Sequence, residues 1–140
     1  MAFEIGTIDT AIGTVLSGIV SIQAYTNEHA IPVGGFPAVT YQLENDNSEF
    51  YDTANNLRTF TYRIDLLHEV EKVGESEAVR ILQDVLSDIQ TAFETDTSLS
   101  GAVDYCQPLT TGNSEKIQGS HGIMLRIPID LVCVKLIQII

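Results

Sequence analysis

Between Leu57 and Leu67 the chain alternates with a period of two. Phe60, Tyr62, Ile64 and Leu66 fall on one side, and Thr59, Thr61, Arg63 and Asp65 on the other. Successive side chains of a strand point to opposite faces, so this run predicts a strand buried on one face and polar, or turned to a partner, on the other. It is the most constraining local pattern in the chain. It demands a sheet, and an apolar element to cover one side of it.

Two stretches offer that cover. Ile5, Ile8, Ile12, Val15, Leu16, Ile19 and Ile22 recur at steps of three and four, apart from the adjacent Val15 and Leu16, and predict an apolar helix stripe over residues 4–25. Gly6, Gly13 and Gly18 interrupt it, each costing a helix interior about 1 kcal/mol relative to alanine. Such a helix should depend on packing, or set its small residues where another backbone comes close. Asn27, Pro32, Gly34, Gly35 and Pro37 then end it in a loop. The second stretch, residues 75–93, carries Ala78, Val79, Leu82, Val85, Leu86, Ile89 and Phe93 on one stripe. Glu75 and Glu77 at its start suit the positive end of a helix dipole.

Three further strands are expected: residues 38–44 with Val39, Tyr41 and Leu43 on one face, a short one over 103–106, and a long one from Ile123 to about Lys135. Pro128 lies inside the last and predicts an edge or a bulge, because proline donates no ladder bond. Residues 45–56, rich in Asn and Asp, and 110–122, with Gly112, Gly119 and Gly122, read as long loops. The expectation is one α+β domain over 1–140, in the order α-β-β-α-β-β. Its mostly antiparallel sheet has about four strands, with two helices packed on one face. The last strand and its tail, Ile127 to Ile140, offer more apolar residues than one sheet face can bury, so this stretch is covered by the first helix or paired with another subunit.

Composition narrows function by exclusion. The 140 residues are 44% hydrophobic and 19% charged, which is globular. Seven Lys and Arg face 19 Asp and Glu, for a net charge of −12, and no Lys or Arg occurs before Arg58. Such a chain is not held to phosphates or to an anionic membrane by its net field. No basic n-region opens the sequence and no stretch of about 18 apolar residues occurs, so neither a secretory signal nor a membrane span is expected.

Sites for chemistry are sparse. Phosphate-binding glycine loops, nucleophile elbows, paired-histidine zinc motifs and EF-hand loops are all missing from the sequence. Cys106 and Cys133 lack zinc spacing and read as small apolar strand residues in a reducing compartment. His29, His68 and His121 are scattered, with no nucleophile beside them. Asp65 and Asp130 could pair as in a metal-dependent nuclease, or simply face solvent beside Arg63 or Arg126. Glu44, Asp46, Glu49 and Asp52 cluster in one polar stretch without the glycine turn of a calcium loop. An enzyme is the weaker hypothesis, with no catalytic, cofactor or metal residues.

The layout does resemble something. A helix of about 20 residues leads through a Pro-Gly loop into Phe36-Pro37-Ala38-Val39-Thr40-Tyr41. A polar stretch precedes the strand Phe60-Thr61-Tyr62-Arg63-Ile64-Asp65-Leu66. A helix then ends near Leu99-Ser100-Gly101, followed by a short strand and the long strand from Ile123 to Val134. In order and spacing, over nearly the whole chain, this is similar to the tail terminator (tail completion) proteins of long-tailed bacteriophages.

The resemblance implies a virion structural protein that is assembled in the host cytoplasm and located at the tail or neck. It implies a ring, usually a hexamer of this chain, that ends tail-tube polymerisation and docks the head connector. Its partners would be copies of itself, the tail tube protein and the head–tail connector, with DNA passing through the ring unbound. A carboxylate-lined channel repels phosphate, so Glu44, Asp46, Glu49 and Asp52 become candidates to face the lumen or a neighbouring subunit. The alternatives are a neck or head–tail connector protein of similar layout and an acidic protein-binding module.

Overall fold

The computed structural model describes residues 5–22, 24–26, 35–119 and 122–138. Its elements in chain order are α1 (Ile5–Ser17), β1 (Ala24–Thr26), β2 (Ala38–Phe50), β3 (Asn55–Glu69), α2 (Glu75–Thr95), β4 (Tyr105–Cys106), β5 (Thr110–Thr111), β6 (Glu115–Gly119) and β7 (Gly122–Gln138). They form a sheet in the order β1-β2-β3-β7-β4, with β5 and β6 also paired to β7.

This corrects the expected four-stranded, mostly antiparallel α-β-β-α-β-β sheet. The described sheet has seven strands and is mixed, because β1 joins β2 in parallel with Ala24 opposite Ala38. The additional strands are two to five residues long. A strand that short carries no legible alternation and exists because a longer neighbour offers free backbone groups. β7 is that neighbour for β4, β5 and β6.

Both helices pack on the sheet face that carries Phe60, Tyr62, Ile64 and Leu66. Their stripes, Ile8, Ile12 and Leu16 from α1 and Ala78, Leu82, Val85, Ile89 and Phe93 from α2, share one core with Ile127, Ile129 and Leu131 of β7. A fully buried side chain of this size contributes roughly 1.5–3 kcal/mol, so the two stripes supply much of the driving force for folding. The first helix is shorter than its apolar period. It stops at Ser17, and Ile19 and Ile22 follow in tight turns through bonds from Ile19 N to Leu16 O (3.1 Å) and Ile22 N to Ile19 O (3.3 Å). Ile19 still reaches the core, so the stripe outlasts the helix.

Gly13 explains why α1 tolerates a glycine at its centre. A Cβ there would lie 2.7 Å from the Tyr41 hydroxyl, so only glycine admits that ring beneath the helix. The approach is to a side chain rather than to a backbone. The Tyr41 hydroxyl donates to the Asp9 carbonyl (3.3 Å) and the Tyr62 hydroxyl to the Asp9 carboxylate. Burial, and then the neighbouring Asp9, push both phenols above their ordinary range. Both tyrosines therefore stay protonated donors and tie α1 to β2 and β3.

β3 and β7 pair without interruption from Asn55 opposite Gln138 to Glu69 opposite Met124. Pro128 sits in this ladder opposite Asp65. Its carbonyl accepts from Gly112 N (2.8 Å), and a residue's N and C=O in a strand point to the same side. The missing donor thus faces the interval between β5 and β6, where no ladder bond is needed. A Cβ on Gly112 would meet the Pro128 ring at 2.8 Å.

Candidate functional site

Residues 45–56 are not the loop expected from their composition. β2 continues to Phe50 and β3 begins at Asn55, so only Tyr51–Ala54 turn. Asn45, Asn47 and Ser48 are poor strand formers, but each has a partner on β3, and β3 is backed by β7 on its other side. The Asp52 carboxylate closes the turn, accepting from Ala54 N (2.8 Å) and Asn55 Nδ2 (3.0 Å). The backbone N–H of Ala54, first among these, lowers its pKa below the usual carboxylate value. Similarly, residues 110–122 are not one loop: β5, β6 and the start of β7 lie within them.

The result is a three-stranded arm that leaves the helices behind. From Leu43 onward β2 has no buried residue, β3 has none before Phe60, and β7 has none in its described part after Val134. At the arm's base β2 carries a bulge between Leu43 and Asn45 that leaves Glu44 outside the register. At its tip Phe50 is 78% exposed and Tyr51 59%.

The four acidic candidates lie along this arm but do not converge. Glu44 occupies the bulge and is exposed. Asp46 is ion-paired with Arg58 across the strands at 3.1 Å. Glu49 accepts from Asn47 Nδ2 (3.3 Å), and Asp52 closes the turn. Asp46 lies opposite Phe60 and Glu49 opposite Leu57, residues of opposite sheet faces. The acids therefore divide between two surfaces and make no single carboxylate patch.

The remaining candidates are held in local contacts. Asp65 is buried and accepts from Arg63 Nε (3.1 Å). That bond first, with the charges of Asp65, Glu44 and Asp130, holds the Arg63 guanidinium above its ordinary pKa. His68 is buried, its Nδ1 is 2.8 Å from the Glu69 carbonyl, and its ring lies 5.8 Å from that of Phe36. His29 and His121 lie outside the described residues. Among the described residues no three His, Cys, Asp or Glu come close enough together to hold a metal ion. No described helix is long and apolar enough to cross a membrane.

Two features escaped the sequence reading. Phe50 and Tyr51 are adjacent aromatics inside an otherwise polar run, a signal that was present and becomes meaningful once the run is known to be a hairpin tip. The second is the pairing of the cations beyond Arg63 with Asp65. Arg58 with Asp46, Arg63 with Asp65, Arg80 with Glu77 and Asp84, Lys116 with Glu75, and Arg126 with Glu115 are all intrachain ion pairs. Five of the chain's seven cations are thus engaged by its own acids.

No family model matches the chain and no curated protein matches it. Among solved structures it is similar to a chain from the virion of a native gene transfer agent particle. The TM-score is 0.45 at 12% identity, over 94% of this chain and 96% of that one.

Proposed function

We propose that this chain is a virion structural protein that assembles as a ring, usually of six copies, on the end of a phage tail tube. The ring stops tube growth and offers a docking surface to the head–tail connector, while DNA passes through it. The likeness of the sequence strings Phe36 to Tyr41, Phe60 to Leu66 and Ile123 to Val134 to the tail terminator layout suggests this reading. The observation that carries it is the arm: a hairpin reaching beyond the helices, with Phe50 and Tyr51 exposed at its end. Large aromatics at an exposed tip are poorly placed in water and well suited to a pocket on an adjoining subunit.

The charge fits the same reading. With most cations already paired to its own carboxylates, the surface has little to offer phosphate, so DNA moves past without being held. The test uses the purified full chain, sized by light scattering and viewed by negative stain, alone and with tail tubes assembled from a phage tail tube protein. Rings, or caps on tube ends, are expected. The double substitution Phe50→Asp and Tyr51→Ser should abolish them and leave the fold intact. A chain that stays monomeric and leaves tube ends bare overturns the proposal.

A further inference from the structure

Cys106 of β4 and Cys133 of β7 face each other in the sheet register, and their sulfurs lie 3.3 Å apart as free, buried thiols. Facing residues of antiparallel strands hold their Cα atoms about 4.5–5.5 Å apart, within the roughly 4.4–6.8 Å that a disulfide spans. Cys106 also lines a surface depression with Phe93, Thr97, Pro108 and Leu109, whereas Cys133 lies behind it and is fully buried. Of the pair, Cys106 is the one that reaches this depression, with 8% of its surface exposed, and Cys133 is shielded. From this geometry we propose that Cys106 and Cys133 form a reversible dithiol–disulfide centre, oxidised by a low-molecular-weight disulfide that enters at Cys106.

The chemistry follows from the two environments. The hydrogen bond between the two sulfurs lowers Cys106 toward its thiolate, and the same bond with burial pushes Cys133 up. The Cys106 thiolate attacks one sulfur of the disulfide RSSR, forming a mixed disulfide and releasing RS⁻. The neutral mixed disulfide no longer opposes ionisation of Cys133. Cys133 attacks the Cys106 sulfur, breaking the mixed bond and handing its proton to the departing sulfur, which leaves as RSH. RSSR is reduced to two RSH, and the protein loses two hydrogens.

The bond would pin an otherwise slight edge. β4 is two residues long, and the Cys106 N–H already bonds the Thr97 carbonyl (2.6 Å) just beyond α2. Oxidation would link β4 to β7 covalently and close a loop containing β5 and β6, with the end of α2 held to that link through the Thr97 hydrogen bond.

The full chain, folded and without denaturant, is incubated with glutathione disulfide and then alkylated after unfolding. The expected product has lost two hydrogens, takes up no alkylating agent, gives a peptide joining Cys106 to Cys133, and reverts with dithiothreitol. Its Tm should rise by roughly 5–10 °C. Cys133→Ser should accumulate one glutathione at Cys106, while Cys106→Ser should leave Cys133 unreacted. Two alkylatable thiols after native exposure, glutathione on both cysteines, or an unchanged Tm would each overturn the proposal. If the serine variants do not fold, alkylation and peptide mapping of the unsubstituted chain still decide it.

Discussion

The same three strands, β2, β3 and β7, behave as two different materials along their length. Over Ala38–Leu43, Phe60–Glu69 and Met124–Val134 they are sandwiched against α1 and α2, and most of their helix-facing residues are buried. Over Glu44–Phe50, Asn55–Thr59 and Lys135–Gln138 they carry the same hydrogen-bond ladders with no buried side chain. Hydrogen bonds are common to both halves; only burial differs. Ladder bonds exchange for bonds to water and contribute modestly net, whereas burial drives folding. One half therefore supplies stability, and the other is free to carry surface chemistry.

Two phenylalanines give the sharpest contrast. Phe60→Ala, in the covered half, should cost about 3–5 kcal/mol, and Phe50→Ala at the tip within about 0.5 kcal/mol, measured by urea denaturation. Equal costs would break the division between the halves. Two glycines of α1 repeat the test on the cover itself. Gly13→Ala forces a Cβ against the Tyr41 hydroxyl and should destabilise by about 1–3 kcal/mol. Gly6→Ala has nothing within 4 Å and should stabilise by up to about 1 kcal/mol. A melting curve for each variant is sufficient.

Within the arm, Asp46→Asn should cost only about 0–1 kcal/mol, because its partner Arg58 is partly exposed and the pair is screened by water. A double-mutant cycle with Arg58→Ala isolates that coupling.

The smallest effect is a titration. The Asp52 pKa lies below its ordinary 3.8 in the fold, so its contribution is present above that value and is lost as pH falls through the folded pKa. The Ala54 amide resonance should shift with the same low midpoint, and Asp52→Ala should remove the shift.

The covered half was legible because its residues obey one rule each. Phe60 to Leu66 alternate, Ala78 to Phe93 recur at helix spacing, and burial in the structure follows both patterns. The arm was not legible because its strands answer to pairing rather than to their own composition. Asn45, Asn47 and Ser48 are turn formers anywhere else, and pairing with β3, itself backed by β7, makes the difference. The first helix was overread for the opposite reason: Ile19 and Ile22 keep the apolar period after the helix has ended. The acids were legible as a cluster in sequence, but strand alternation deals them to opposite faces. Phe50 and Tyr51 were visible as letters and gained meaning from their place at a tip.

The bulge at Glu44 gives this two-part strand a mechanical property. Seven residues of extended chain from Glu44 to Phe50 make a lever of about 23 Å. A bulge bends and twists the strand at that one point. Turning the lever by about 10° at its base would carry the tip some 4 Å sideways, a displacement large enough to bring an aromatic ring into or out of a neighbour's pocket. Removing Glu44 leaves every flanking register pair able to form, so the angle can change while the chemistry of the tip does not. In the ring proposed above, such an angle would be multiplied at every step, and this single extra residue would become a setting for how the circle closes.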